Sequence, residues 1–292
     1  SMATLDKQTK RVLALFGKNP AHVTVNVGTE QEYFLISEKD YERRQDLIVC
    51  GRTLFGAPPC KGQELDEHYF GAIRPTVNSF MKELDDELWG FAVAAKTKHN
   101  EVAPCQHELA PVFCNANRAV DENLLTMEMM KLLASHHGLV CLQHEKPFEG
   151  INGSGKHNNW SFGTEDENLL DPGDTPEANL QFIVFLTCVI EAVDNYQDLL
   201  RMSVASCGND HRLGAHEAPP AIISIFLGDE LSSIIDALTS GETAAHTLRE
   251  QLDFGVDVLP NLERDTTDRN RTSPFAFTGN KFEFRMPGSS VN

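Results

Sequence analysis

Apolar and polar residues alternate in two neighbouring stretches, Val23-Thr-Val-Asn-Val27 and Glu30-Gln-Glu-Tyr-Phe-Leu-Ile36. A period of two predicts an extended, half-buried segment in each, with Gly28 interrupting between them. The Leu- and Lys-rich residues ahead predict a helical lead-in over 1–22. From 37 to 75 charges are dense, Gly56 and Pro58-Pro59 signal turns and no period persists, so surface loops and short helices are expected. Apolar positions recur at helical spacing over 75–88 and over 121–137, the second stopped by Gly138. A Pro/Gly/Asp-rich stretch at 171–176 precedes a long helix reaching about residue 203, and a helix pair is expected over 230–252. Lys281-Phe-Glu-Phe-Arg285 alternates again, which puts Lys281, Glu283 and Arg285 on one face and two phenylalanines on the other. A charged face beside an aromatic one suggests the wall of a site. There is no repeat of a solenoid kind and no βαβ rhythm, so the expected fold is α+β, a curved antiparallel sheet flanked by helices over 23–292.

Charge narrows the partners. With 43 acidic and 25 basic residues the net charge is -18, a field that repels nucleic acid and anionic membranes, so neither is an expected partner. An anionic ligand then needs divalent cations and a few converging Arg and Lys residues to reverse that field locally. The apolar run over 180–190 is too short to span a bilayer and runs into Glu191 and Asp194. Seven cysteines, an odd number with no C-x-x-C pair, read as free thiols in a reducing, cytoplasmic setting. The Asn-x-Ser/Thr tripeptides at Asn152, Asn159 and Asn270 would matter only in a secreted protein, and no signal peptide opens the chain. Ser1-Met2-Ala3 has the form of a protease-cleavage scar and Val291-Asn292 does not resemble a natural end, so the chain reads as an excised piece.

Four groups of residues carry candidate chemistry. Glu30 and Glu32 share a face of an extended segment, near enough to ligate neighbouring cations, although such a pair is often merely solvated. Glu101 and Glu108 flank Val-Ala-Pro-Cys-Gln-His; Pro104 forbids one continuous helix, and a turn between them either aims both carboxylates inward or leaves two unrelated surface acids. In the segment 146–161 three glycines fall within six residues and His157 follows, a loop suited to anions that is neither a P-loop nor a dinucleotide fingerprint. Polar stretches at 209–219 and 268–274 supply Arg212, Glu217, Arg269 and Arg271, where guanidinium groups can take carboxylate or phosphate bidentately or simply be solvated.

In their order, Gly-x-Glu-x-Glu-Tyr-Phe, His-Asn-Glu-Val-Ala-Pro-x-Gln-x-Glu, Lys-Pro-Phe…Asn-Gly-Ser-Gly-x-His, Arg-Leu…Glu-Ala-Pro and Asn-Arg…Phe-Glu-Phe-Arg resemble the glutamine synthetase family from about residue 24 to 288. Lys96-Thr-Lys-His-Asn-Glu-Val-Ala-Pro and the wording of 268–285 look most like its large type III branch. The resemblance implies an ATP-dependent ligase that activates glutamate as γ-glutamyl phosphate and joins it to ammonia. It implies two Mg2+ or Mn2+ ions, one held by Glu32, Glu101 and Glu108 facing glutamate, the other by Glu30, His157 and Glu283 facing the ATP phosphates. It further implies Asn152, Gly153, Arg212 and Arg285 around glutamate, Arg271 on the transferred phosphate, and Phe113, Asn159, Ser161 and Lys281 near the nucleotide. Glu217 would close the site and deprotonate ammonium.

The chain departs from the pattern in three places. Asn159 stands where many bacterial members have a second His, Phe275 or Ala276 falls near where a second phosphate-binding Arg is common, and no β-grasp domain precedes Val23. Family members form rings in which a neighbour's β-grasp domain completes each site, so a homo-oligomer is implied for the whole protein and the fragment alone is expected to be nearly inactive. A ligase of the same superfamily using another amine, or a non-catalytic structural homologue, would share much of this sequence.

Overall fold

The computed structural model describes residues 1–58, 60–203, 205–207, 223–241, 251–252, 262–263, 273–285 and 288–291. Its organising element is the strand β1 (Thr24–Ser37), preceded by α1 (Met2–Leu15). The two expected extended stretches form this single strand. Gly28 does not interrupt it; a Cβ there would lie 3.3 Å from the Phe113 Cβ, so glycine admits a neighbouring segment close to the sheet.

The charged region that follows folds as expected into short pieces, α2 (Glu38–Glu42), α3 (Gln45–Cys50) and α4 (Glu67–Phe70). Next come α5 (Pro75–Gly90), with Pro75 in the first turn where no amide donor is needed, and β2 (Ala95–Asn100), β3 (Gln106–Pro111) and β4 (Cys114–Asn115). Helix α6 (Ala116–His136) starts five residues before the apolar period does, because the Asn115 side chain accepts a hydrogen bond from the Asn117 amide and caps it there. After β5 (Leu139–Leu142) and β6 (Lys156–Gly163), the expected long helix is two: α7 (Leu180–Asn195), capped by Asn179, and α8 (Gln197–Arg201), separated at Tyr196, whose φ of -122° leaves the helical region.

The described remainder is β7 (Ile225–Phe226), α9 (Asp229–Ser240), β8 (Gln251–Leu252), β9 (Leu262–Glu263), β10 (Phe275–Phe277) and β11 (Phe282–Phe284). Only the first helix of the pair expected over 230–252 is borne out. Gly241 ends α9 in the left-handed conformation, Gln251 and Leu252 pair as a strand with β9, and 242–250 lie outside the described residues.

Among the described residues nine strands form one sheet in the order β2-β3-β1-β6-β11-β10-β7, with β4 and β5 also pairing β1. Every pairing is antiparallel except β10 with β7, so the expected fold class holds with one parallel edge. Behind β6 and β11, Trp160, Phe162, Phe275, Phe277 and Phe282 stack with one another and onto α7. Phe282 is wholly buried, and burial of such a ring contributes about 1.5–3 kcal/mol. Tyr33 and Leu35 point into a second cluster with α5 and α6, while Phe34 enters a third with Leu47 and Leu142. No described helix is long and apolar enough to cross a membrane, and the seven cysteines are unbridged.

Candidate active site

Strand register brings the acidic residues together. Glu30 lies opposite His157 and Glu32 opposite Glu108, while Glu283 lies opposite Asn159 and His99 opposite Glu108. Cross-strand partners share a face and side chains alternate, so Glu30, Glu32, Glu108, His157, Asn159, Ser161 and Glu283 all stand on the face away from the aromatic core. The Lys281-to-Arg285 alternation read from the sequence is the same device: Phe282 and Phe284 anchor the strand while Glu283 faces the site.

Two sets of ligand atoms lie within 4.8 Å of one another: Glu30, Glu108 and His157, and His99, Glu101 and Glu108. His157 Nδ1 is 3.2 Å from Glu30 Oε2 and 3.7 Å from Glu283 Oε1. Burial pushes the Glu30 carboxyl up, but hydrogen bonds from His157 and Asn159, with the His157 and Arg285 charges, hold it below its usual value. The Arg285 guanidinium is itself buried and bonds Glu283 Oε1 at 2.5 Å. His99 Nε2 meets Glu108 Oε1 at 3.1 Å, which pushes the His99 ring up to about 9.

Glu32 is held differently from the other acids. Its Oε2 accepts from the Gly155 amide at 2.9 Å and from Gln106 Nε2 at 3.3 Å. The glycine-rich loop expected to cradle an outside anion thus spends one amide on the protein's own carboxylate. Gln106, wholly buried, also donates to the Gly153 carbonyl at 2.7 Å and so ties that loop to β3. Asn152 is buried beside it, and its Oδ1 meets no hydrogen-bond partner among the described residues.

Glu32, Glu101, Glu108 and Glu283 are each less than 9 % exposed. Ionised carboxylates buried at this density repel one another unless cations join them, and five carboxylates with one imidazole are the donor set that hard divalent ions such as Mg2+ and Mn2+ accept. The residues therefore fit such ions. Beside them opens a cavity of about 560 Å³ lined by Gly28, Lys96, Phe113, Asn159, Ser161 and Lys281 among others. All four residues implied for the nucleotide line this one space. Arg212, Glu217, Arg269 and Arg271 lie outside the described residues. Phe275 and Ala276, which mark the departure at the second phosphate-binding Arg, are buried in β10.

Sequence reasoning gave no role to His99, Gln106 or Lys96. The signal for His99 was present in its spacing of two from Glu101, and Gln106 stood inside a quoted motif; Lys96 carried none beyond its neighbours.

Residues 7–224 match the family model described as glutamine synthetase, catalytic domain. The chain is 56% identical over 293 residues to a glutamine synthetase of Butyrivibrio fibrisolvens, covering 100% of this chain and 42% of that protein. It is 54% identical over 278 residues to a type-3 glutamine synthetase of Dictyostelium discoideum, covering 95% and 38%. Both relatives are more than twice as long as the part matched. Among solved structures, Plasmodium falciparum glutamine synthetase superposes with a TM-score of 0.58 at 18% identity over 98% of this chain and 51% of that one. One described as a GmaS/ADP complex gives 0.56 at 18% identity over 98% and 54%. At such identity these two bear on the fold alone, but the family match spans most of the chain: it belongs to the glutamine synthetase family and carries its catalytic domain.

Proposed function

We propose that this chain is the catalytic part of a cytoplasmic, homo-oligomeric glutamate–ammonia ligase that converts ATP, glutamate and ammonia to ADP, phosphate and glutamine. The observation that carries the reading is the convergence of Glu30, Glu101, Glu108, His157 and Glu283 on one sheet face beside the cavity at Phe113 and Lys281. Glu30, His157 and Glu283 would hold one Mg2+ or Mn2+ ion and Glu32, Glu101 and Glu108 another. When bound, these ions supply positive charge to the phosphate oxygens and to the glutamate carboxylate.

The chain's own residues do the rest. Phe113 offers an exposed ring for the base, and Lys281, Asn159 and Ser161 supply donors along the same wall. Asn152, Gly153, Arg212 and Arg285 orient glutamate so that its side-chain carboxylate attacks the γ-phosphate, and Arg271 stabilises charge on the transferring oxygens. Glu217 takes a proton from ammonium, and the ammonia displaces phosphate from the acyl phosphate. Water must be excluded meanwhile, since an acyl phosphate hydrolyses readily.

Phosphate and glutamine release measured side by side with ATP, glutamate and either ammonia or a panel of small primary amines tests the reading. Equal yields of phosphate and glutamine, with ammonia giving the highest kcat/KM, are expected. A preference for another amine reassigns the acceptor, and no ATP turnover with any amine in the full-length protein overturns ligase function.

A further inference from the structure

The second cluster contains a residue that none of the assigned roles uses. His99 sits on β2 directly opposite Glu108 on β3, which brings their Cβ atoms to cross-strand contact distance. Its Nδ1 is 2.9 Å from the Asn100 carbonyl oxygen. A carbonyl only accepts, so Nδ1 carries the proton and donates. Nε2 meets Glu108 Oε1 at 3.1 Å, and Nδ1 also lies 3.4 Å from Glu101 Oε1, so the ring stands between both carboxylates. A carboxylate oxygen only accepts, so without an ion Nε2 donates to Glu108; a bound cation would take that proton's place between the two atoms, the proton passing to solvent. An imidazole whose Nδ1 donates to a backbone carbonyl while Nε2 is turned to a carboxylate is the arrangement of a metal-ligating histidine. The Tyr69 ring, edge-on at 5.9 Å, buttresses the imidazole, whose side chain is 36% exposed and so reachable by an ion from solvent.

We propose that His99 Nε2 is a further ligand of the ion held by Glu101 and Glu108, which makes that site a mixed nitrogen and oxygen site. The assignment rests on the divalent-ion reading of the same carboxylates. One imidazole added to oxygen donors favours Mn2+ over Mg2+, because Mg2+ holds to oxygen ligands and waters. Glu108 belongs to both clusters.

The test is Mn2+ titration of the parent, His99→Gln, His157→Asn and the double variant, followed by pulsed electron paramagnetic resonance for directly bound nitrogen. His157→Asn removes the other imidazole of the site. Expected is a nitrogen coupling that survives in His157→Asn and disappears in the double variant, with Mn2+ binding to His99→Gln weakened on the order of 10- to 100-fold and Mg2+ binding weakened less. Mn2+ bound to His157→Asn with no nitrogen coupling overturns the His99 assignment alone, and that single variant decides the question even if His99→Gln does not fold. Equal losses for Mn2+ and Mg2+ with no change in coupling would show that His99 only positions Glu108. If the parent takes up no Mn2+, the divalent-ion reading and the His99 assignment fall together.

Discussion

Glu32 and Glu108 stand directly opposite each other across the β1–β3 ladder, both buried and both on the site face. Like charges so placed destabilise a sheet unless something positive joins them. Mg2+ or Mn2+ is therefore expected to raise the melting temperature, as any ligand selective for the folded state must; a concentration of about 100 times Kd contributes about 2.7 kcal/mol. Glu32→Ala combined with Glu108→Ala should remove most of that shift. A melting curve in the parent that is unmoved from micromolar to millimolar metal would count against the assigned ligands.

Phe113 is two-thirds exposed yet lines the cavity beside Lys281. If it stacks on the adenine, Phe113→Ala should weaken ATP binding about tenfold, since a base on an aromatic ring is worth about 1–3 kcal/mol. The melting temperature should hardly change. Calorimetric titration of both proteins checks this, and equal affinities refute the placement.

Much of the site was legible because its devices are local. Period-two alternation gave Phe282 and Glu283 opposite faces, and the pairing of Glu30 with Glu32 needed only an extended backbone. What the sequence left hidden depends on register: that Glu32 meets Glu108 and that His99 meets Glu108 follow from pairings between strands far apart in the chain. Gly28 misled for a related reason. A glycine usually punctuates a strand, but here the close approach of Phe113, from a segment 85 residues away, decides the matter. The start of α6 was missed because a side-chain cap at Asn115 outweighed the apolar period.

Lys156, next to His157 but on the opposite face, is almost wholly buried and its ammonium donates to the Met127 sulfur at 3.2 Å, a weak acceptor. Burial pushes its amine down to about 7. Lys156→Met should stabilise the metal-free protein by about 1–2 kcal/mol, because the length is kept and an under-satisfied polar group is removed. Urea unfolding at pH 6.5 measures this, and a destabilised variant would show that the amine has a role the fold depends on.

Asp46 is buried in α3, where it accepts two hydrogen bonds from Arg44, at 2.9 and 2.6 Å, and one each from the Leu47 and Leu54 amides. The Arg44 hydrogen bond holds its carboxyl well below the usual range against the opposing effect of burial. A carboxyl whose folded-state value is depressed gives stability that is present above its unfolded value of about 3.9 and lost as pH falls below it. Asp46→Asn should therefore cost about 2 kcal/mol at pH 7 and lose less on acidification from pH 4 to 2 than the parent does. Parallel pH profiles for the two proteins would refute the linkage.

The strand β1 carries Glu30 and Glu32 in one phase and Tyr33 and Leu35 in the other, and pairs with β3, β4, β5 and β6. One inserted residue between Gly28 and Tyr33 would turn either the acids into the aromatic core or the core residues toward the cavity. Chemistry and folding are thus subject to a single reading frame of side chains. Such a strand can accept exchanges position by position, but its length is locked, and changes in what the protein does must enter through the loops around it.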